Sequence, residues 1–153
     1  MTKNIRQKLQ GIQSALKAPK GQTNKFGGYK YRSAEDIVEA TKPLLGEWGC
    51  ILTISDEVVE IGARVYVKAT ACITDTEHDN SIFTTAYARE AEVKKGMDEA
   101  QITGSASSYA RKYALNGLLC IDDTKDPDAT NDHGKKSKPV ARKPRITEES
   151  FNL

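Results

Sequence analysis

Residues 63–75 read Ala-Arg-Val-Tyr-Val-Lys-Ala-Thr-Ala-Cys-Ile-Thr-Asp, and their alternation constrains the fold more than any other stretch of the chain. Ala63, Val65, Val67, Ala69, Ala71 and Ile73 share one face of an extended strand; Arg64, Tyr66, Lys68, Thr70, Cys72 and Thr74 share the other. A period of two with apolar residues on one side describes a sheet covered on that side. Residues 50–59 and 81–89 flank it as two further strand-like runs, rich in β-branched types. The links, Glu60-Ile61-Gly62 and His78-Asp79-Asn80, are short and turn-like. Parallel strands need a long crossover, so links this short predict an antiparallel meander.

Helical patterns frame the meander. Ile5, Leu9, Ile12 and Leu16 are spaced four, three and four apart, one stripe of an amphipathic helix over 4–17. A loop follows from about Pro19 to Arg32. Ser33 is a good N-cap with Asp36 at the capping-box distance. The helix it starts contains Pro43, which predicts a kink or an early end, with Gly46 and Gly49 closing the segment. Downstream, Asp98 opens a helix that runs to about Leu115. Ile102, Ala106, Tyr109, Ala110 and Tyr113 lie on one of its faces, and Asn116-Gly117 is the stop signal. The expected architecture is α+β: an antiparallel three-stranded β-meander followed by a long helix, with N-terminal helices packed on it. After Thr124 the chain turns polar and carries three of the five prolines. Such a segment buries too little apolar surface to offset its ordering entropy. Residues 1–124 are therefore read as the folded domain and 125–153 as a disordered, partly basic tail.

Composition narrows the function. No apolar run approaches the ~20 residues that span a bilayer, and the basic N-terminus lacks the apolar stretch of a secretory signal. Cys50, Cys72 and Cys120 are odd in number and far apart, so they read as reduced thiols of a cytosolic protein. The formal charge is only +2, yet residues 1–32 hold eight Lys and Arg with no acidic residue. Polarity of that kind points to a polyanion partner or to plain solvation.

Three constellations could carry chemistry. Lys25-Phe26-Gly27-Gly28-Tyr29-Lys30-Tyr31-Arg32 interleaves rings and cations around two glycines, the pattern with which proteins stack bases and follow phosphates. The alternative is a loop whose rings dock on the core. Gly104 to Leu115 is rich in small residues and presents Arg111 and Lys112; its plain reading is a core helix with two surface cations near the favourable end of the dipole. Arg64, Tyr66 and Lys68 share the polar face of the central strand, which either lines a groove or lies under the N-terminal helices. Enzyme readings fare worse. His78 and His133 have no nucleophile at a recognisable spacing, the serines lack a G-x-S-x-G elbow, and no Walker A sequence occurs. Asp75, Glu77 and Asp79 could hold a divalent ion but lack the rest of a calcium loop, and a solvated turn is the simpler account. No cofactor is implied.

Two of these motifs, Lys25–Arg32 continuing into Ser33-Ala34-Glu35-Asp36-Ile37, and Gly104–Leu115 continuing through Asn116-Gly117-Leu118 to Asp126, resemble the Erf family of phage recombination proteins. The resemblance covers about residues 3–128. Family members often carry Arg where this chain has Lys112, a change that keeps charge but loses the planar fork. The resemblance implies ATP-independent binding of single-stranded DNA, assembly into rings or filaments, and pairing of complementary strands in a bacterial host cytoplasm. A phage exonuclease or a host single-strand-binding protein is an implied partner, and no membrane is. The positions that could line a DNA groove are Lys25, Tyr29, Lys30, Tyr31, Arg32, Arg64, Lys68, Arg111 and Lys112. Among these, Lys30, Arg32, Arg111 and Lys112 are the preferred phosphate contacts, and Tyr29 and Tyr31 the preferred rings. A single-strand-binding module without annealing activity, or a metal-dependent nuclease using the acidic turns, are the rival readings.

Overall fold

The computed structural model describes residues 2–121; the expected tail and the boundary at residue 124 lie outside them. Helix α1 (Ile5–Ala15) is followed by a two-stranded ribbon, β1 (Gln22–Thr23) and β2 (Lys30–Tyr31), and by helix α2 (Ala34–Trp48). The meander is β3 (Cys50–Ile61), β4 (Arg64–Asp75) and β5 (Ser81–Arg89), and helix α3 (Glu99–Leu119) closes the domain. The sheet order is β3-β4-β5, antiparallel throughout. The fold is α+β, in the order that the alternation and short links predict.

Local chemistry starts each helix. Asn4, Ser33 and Asp98 are N-caps, and each forms a capping box with the residue three places on, Gln7, Asp36 and Gln101. At Ser33 the two bonds measure 3.1 and 2.9 Å, and these hold the Asp36 carboxyl below the ordinary carboxylate range, chiefly through the Ser33 backbone N–H. β3 turns into β4 through Gly62 and Ala63, with Gly62 at φ 60°, the left-handed geometry that two-residue hairpins demand.

Two local stop signals are overridden, for one reason, although α2 still closes at the expected Gly49. α2 passes through Pro43 and Gly46 and ends at Gly49. Pro43 is exposed, and Leu44, Leu45 and Trp48 beyond it pack against the core. Their burial outweighs a proline penalty of about 3 kcal/mol. Likewise α3 runs past Asn116-Gly117 because Leu118 and Leu119 are buried; it stops at Cys120, which takes the left-handed conformation at φ 58°. Ribbon β1–β2 falls within the stretch read as loop.

The helices cover one face of the sheet. Val67, Ala69, Ala71 and Ile73 of β4 are buried beneath Ala106, Ala110 and Ala114 of α3 and Ile5, Leu9 and Ile12 of α1. Alanine facing alanine lets α3 approach the sheet closely, and the Thr84 hydroxyl donates to the Ala114 carbonyl at 2.7 Å. α1 is fixed at two points. Gln13 Nε2 donates to the Leu118 carbonyl at 2.8 Å, and Lys8, itself buried, donates to Asp75 Oδ1 at 3.0 Å. The indole of Trp48 lies directly on Gly11, where a Cβ would come within 2.3 Å of the ring. Among the described residues, no helix is long and apolar enough to cross a membrane.

Candidate nucleic-acid interface

The arm between α1 and α2 is organised by Asn24. Its carbonyl oxygen Oδ1 accepts the N–H groups of Phe26 and Gly27 at 2.8 and 3.0 Å, and its amide donates to the Tyr29 hydroxyl at 2.8 Å. Gly28 turns the chain at φ 65°, and Gly27 lies under the Tyr29 ring, where a Cβ would approach to 2.5 Å. These two positions therefore need glycine, which is why the motif carries both. Lys25 and Phe26 stand at the exposed tip. β2 brings Tyr31 beside Tyr29, ring centroids 6.3 Å apart, and leaves Lys30 exposed.

A cleft of about 340 Å³ separates the arm from α3. Tyr29, Tyr31 and Arg32 line one side; Ser105, Ser108, Tyr109 and Lys112 line the other. The small residues of α3 are divided by helical periodicity: Ala106, Ala110 and Ala114 go to the sheet, while Ser105 and Ser108 floor the cleft. A second cleft, about 420 Å³, continues along α3 to the β5 edge. Tyr87, Arg89, Lys94, Met97 and Tyr113 line it, and it shares Ser105 and Tyr109 with the first. Both sit at the small end of ligand-site volumes and are open at the surface, a shape suited to a strand laid along them.

Of the nine positions expected at a DNA groove, the structure brings Tyr29, Tyr31, Arg32 and Lys112 to one cleft, with Lys25 and Lys30 on the same arm. Three lie elsewhere. Arg111 points to the β3 flank of α3, where its Nε is 3.0 Å from both carboxylate oxygens of Asp56; Ser107 donates to the same carboxylate. Arg64 and Lys68 project from the sheet face away from the helices, Arg64 pairing with Glu92 at 3.2 Å and Lys68 lying 5.9 Å from the centre of the Tyr87 ring. That face is open among the described residues, so the N-terminal helices do not cover it.

Sequence reasoning missed Tyr109, Tyr113, Tyr87, Arg89 and Lys94. By sequence pattern Tyr109 and Tyr113 share a face of α3 with Ile102, Ala106 and Ala110, yet both are about half exposed and their rings pair at 6.1 Å. The signal was the alanine spacing at 106, 110 and 114: alanines on the packed face displace the tyrosines to its flank.

At the acidic turn a buried ammonium competes with any metal ion. Ligand atoms of Asp75, Glu77 and His78 lie within 4.8 Å of one another, but the ammonium of Lys8 already occupies the Asp75 carboxylate and would repel a cation. The Glu77 N–H and then Lys8 hold the Asp75 carboxyl below its ordinary range, and the same bond raises Lys8 above the usual lysine value. Burial pushes the nearby Cys50 thiol up, away from the reactive thiolate.

Comparison with known proteins identifies the family. The ERF superfamily profile matches residues 5–150, and the chain belongs to that family. It is 57% identical over 143 residues to the Essential recombination function protein of Salmonella phage P22, an alignment spanning 94% of this chain and 67% of that relative. No solved structure matches it.

Proposed function

We propose that the protein binds single-stranded DNA along α3 and, as an oligomer, anneals complementary strands during phage-type recombination. One observation carries the reading. Two segments far apart in sequence, the ring-and-cation arm and α3, meet so that three tyrosines and two cations face one cleft, against a single acid, Glu35. Membership of the family and the name of the phage P22 relative support a role in recombination. The process needs no bond made or broken. Arg32 and Lys112 would neutralise phosphates and the tyrosines would stack on bases. With one face of each base held and its edge unused, pairing to an incoming strand can proceed. Such a protein works without a nucleotide cofactor, because the free energy comes from base pairing itself.

Two measurements test this. Mixing complementary oligonucleotides with the protein, without ATP, should accelerate duplex formation; protection of the strands without acceleration would leave single-strand binding alone. Arg32→Ala and Lys112→Ala should each weaken binding to all sequences alike and lower the salt slope by about 0.7 per lost contact. An unchanged slope would take those cations off the phosphate path.

A further inference from the structure

The six tyrosines of this chain form three ring pairs: Tyr29 with Tyr31, Tyr109 with Tyr113, and Tyr66 with Tyr87, with centroids 6.1 to 6.5 Å apart. The first two pairs belong to the clefts along α3. The third belongs to both sides of the sheet. Tyr87 lines the second cleft beside Tyr109 and Tyr113. Its ring also meets Tyr66 edge-on at 6.5 Å, and Lys68 Nζ sits 5.9 Å from its centre, both on the open sheet face. This is possible because β5 is an edge strand: no element stands between the cleft and the open face, and Tyr87 stands where they join.

That face has a definite chemistry. The register places Arg64, Lys68 and Arg89 on it, with Glu57 as the sheet's acidic residue on that side. Phe83 is 64% exposed there and Tyr87 47%, and Ile51 and Ile61, at the two ends of β3 on the far edge of the sheet, are about half exposed. An apolar partner would match Phe83 and the two β3 isoleucines, but those isoleucines lie apart at opposite ends of the sheet, and it would strip water from Lys68 and Arg89 between them without replacing it, which is costly. An acidic peptide would match the cations but leave the rings unused. A polyanion with flat rings uses both.

We infer that the open sheet face, from Tyr87 through Tyr66 and Lys68, is an extension of the single-stranded DNA site, taking the next nucleotides of the same strand after it crosses the β5 edge. This rests on the binding reading above and adds a direction of travel. The strand follows α3, passes over Tyr87, and continues on the far side of the sheet.

Anisotropy titrations with labelled oligothymidylates of about 4 to 16 nucleotides test it. Wild type should gain affinity with length until the whole path is filled. Tyr66→Ala, Lys68→Ala and Lys68→Glu should bind the shortest oligonucleotides as wild type does. On the longest they should lose roughly tenfold, with a salt slope lower by about 0.7 for each Lys68 variant. Variants matching wild type at every length would overturn the extension and leave the α3 site standing. So would an equal loss at every length, which marks an indirect effect on the fold. A change in sedimentation of the DNA-free protein with unaltered DNA affinity would likewise overturn it and assign the face to a second copy of the chain. Wild type that binds no length at all would overturn the parent reading, and this one with it.

Discussion

Lys8 and Arg111 show how position decides what a cation does. Both sit on helices whose sequence reads as surface-charged, and both are held by a carboxylate from the sheet. The Asp75 carboxyl has a lowered pKa in the folded chain, so its contribution is fully present above its unfolded value near 3.9 and is lost as pH falls through the lower folded value. The raised Lys8 contributes below its unfolded value of about 10.4 and loses its effect as pH rises through the folded one. Asp75→Asn should therefore lower the melting temperature at neutral pH and flatten its fall on the acid side. Melts from about pH 2 to 7 measure both, and a parallel acid limb would remove Asp75 from the account. Arg111 is expected to act as a tether between α3 and β3. Asp56→Ala and Arg111→Ala should each cost about 0.2 to 1 kcal/mol, with the double variant little worse than either. Arg111→Ala should leave the salt slope of DNA binding unchanged. A drop of about 0.7 would restore it to the phosphate path.

The elements were legible where local signals and packing agree. The meander was readable from period-two alternation, and the α2 start from Ser33 and Asp36, because strand registry and caps are decided by neighbours in sequence. The passage of α2 through Pro43 and the end of α3 were not. Pro43 and Asn116-Gly117 are local stop signals, overruled by Leu45, Trp48, Leu118 and Leu119, whose burial depends on elements elsewhere in the chain. The arm was the most legible part of the site, its rings and cations being contiguous. Tyr109 was hidden because the choice between packed face and flank depends on how close α3 lies to β4. That closeness rests on Ala110, fully buried against the sheet. Ala110→Leu should overpack this contact at about 1 to 3 kcal/mol and lift the helix away from β5. Melting temperature and oligonucleotide affinity should fall together. Lost stability with full affinity would mean that the site does not depend on the helix-to-sheet distance.

At the scale of the whole molecule, charge counted is not charge available. Residues 1–32 hold eight cations, but Lys8 is committed to Asp75 and Lys3 lies 4.3 Å from the centre of the Trp48 ring. What faces solvent as a coherent feature is the arm, not the sum. The domain boundary has its own expected outcome: a chain ended after Thr124 should melt at the temperature of the full chain, and a truncated protein that fails to fold would move the boundary.

The anchoring of α1 has a consequence for synthesis. Its partners arrive late: Asp75 follows Lys8 by 67 residues, and Leu118 follows Gln13 by 105. At ~5–20 residues per second on the ribosome, the stripe of Ile5, Leu9 and Ile12 waits roughly 5 to 20 seconds for its seat. The meander and α3, contiguous from residue 50 to 119, can assemble as each strand emerges. α1, made before α2 and α3, is thus housed after both. The nascent chain carries an exposed apolar stripe among basic residues for that interval, the kind of segment that holding chaperones take up.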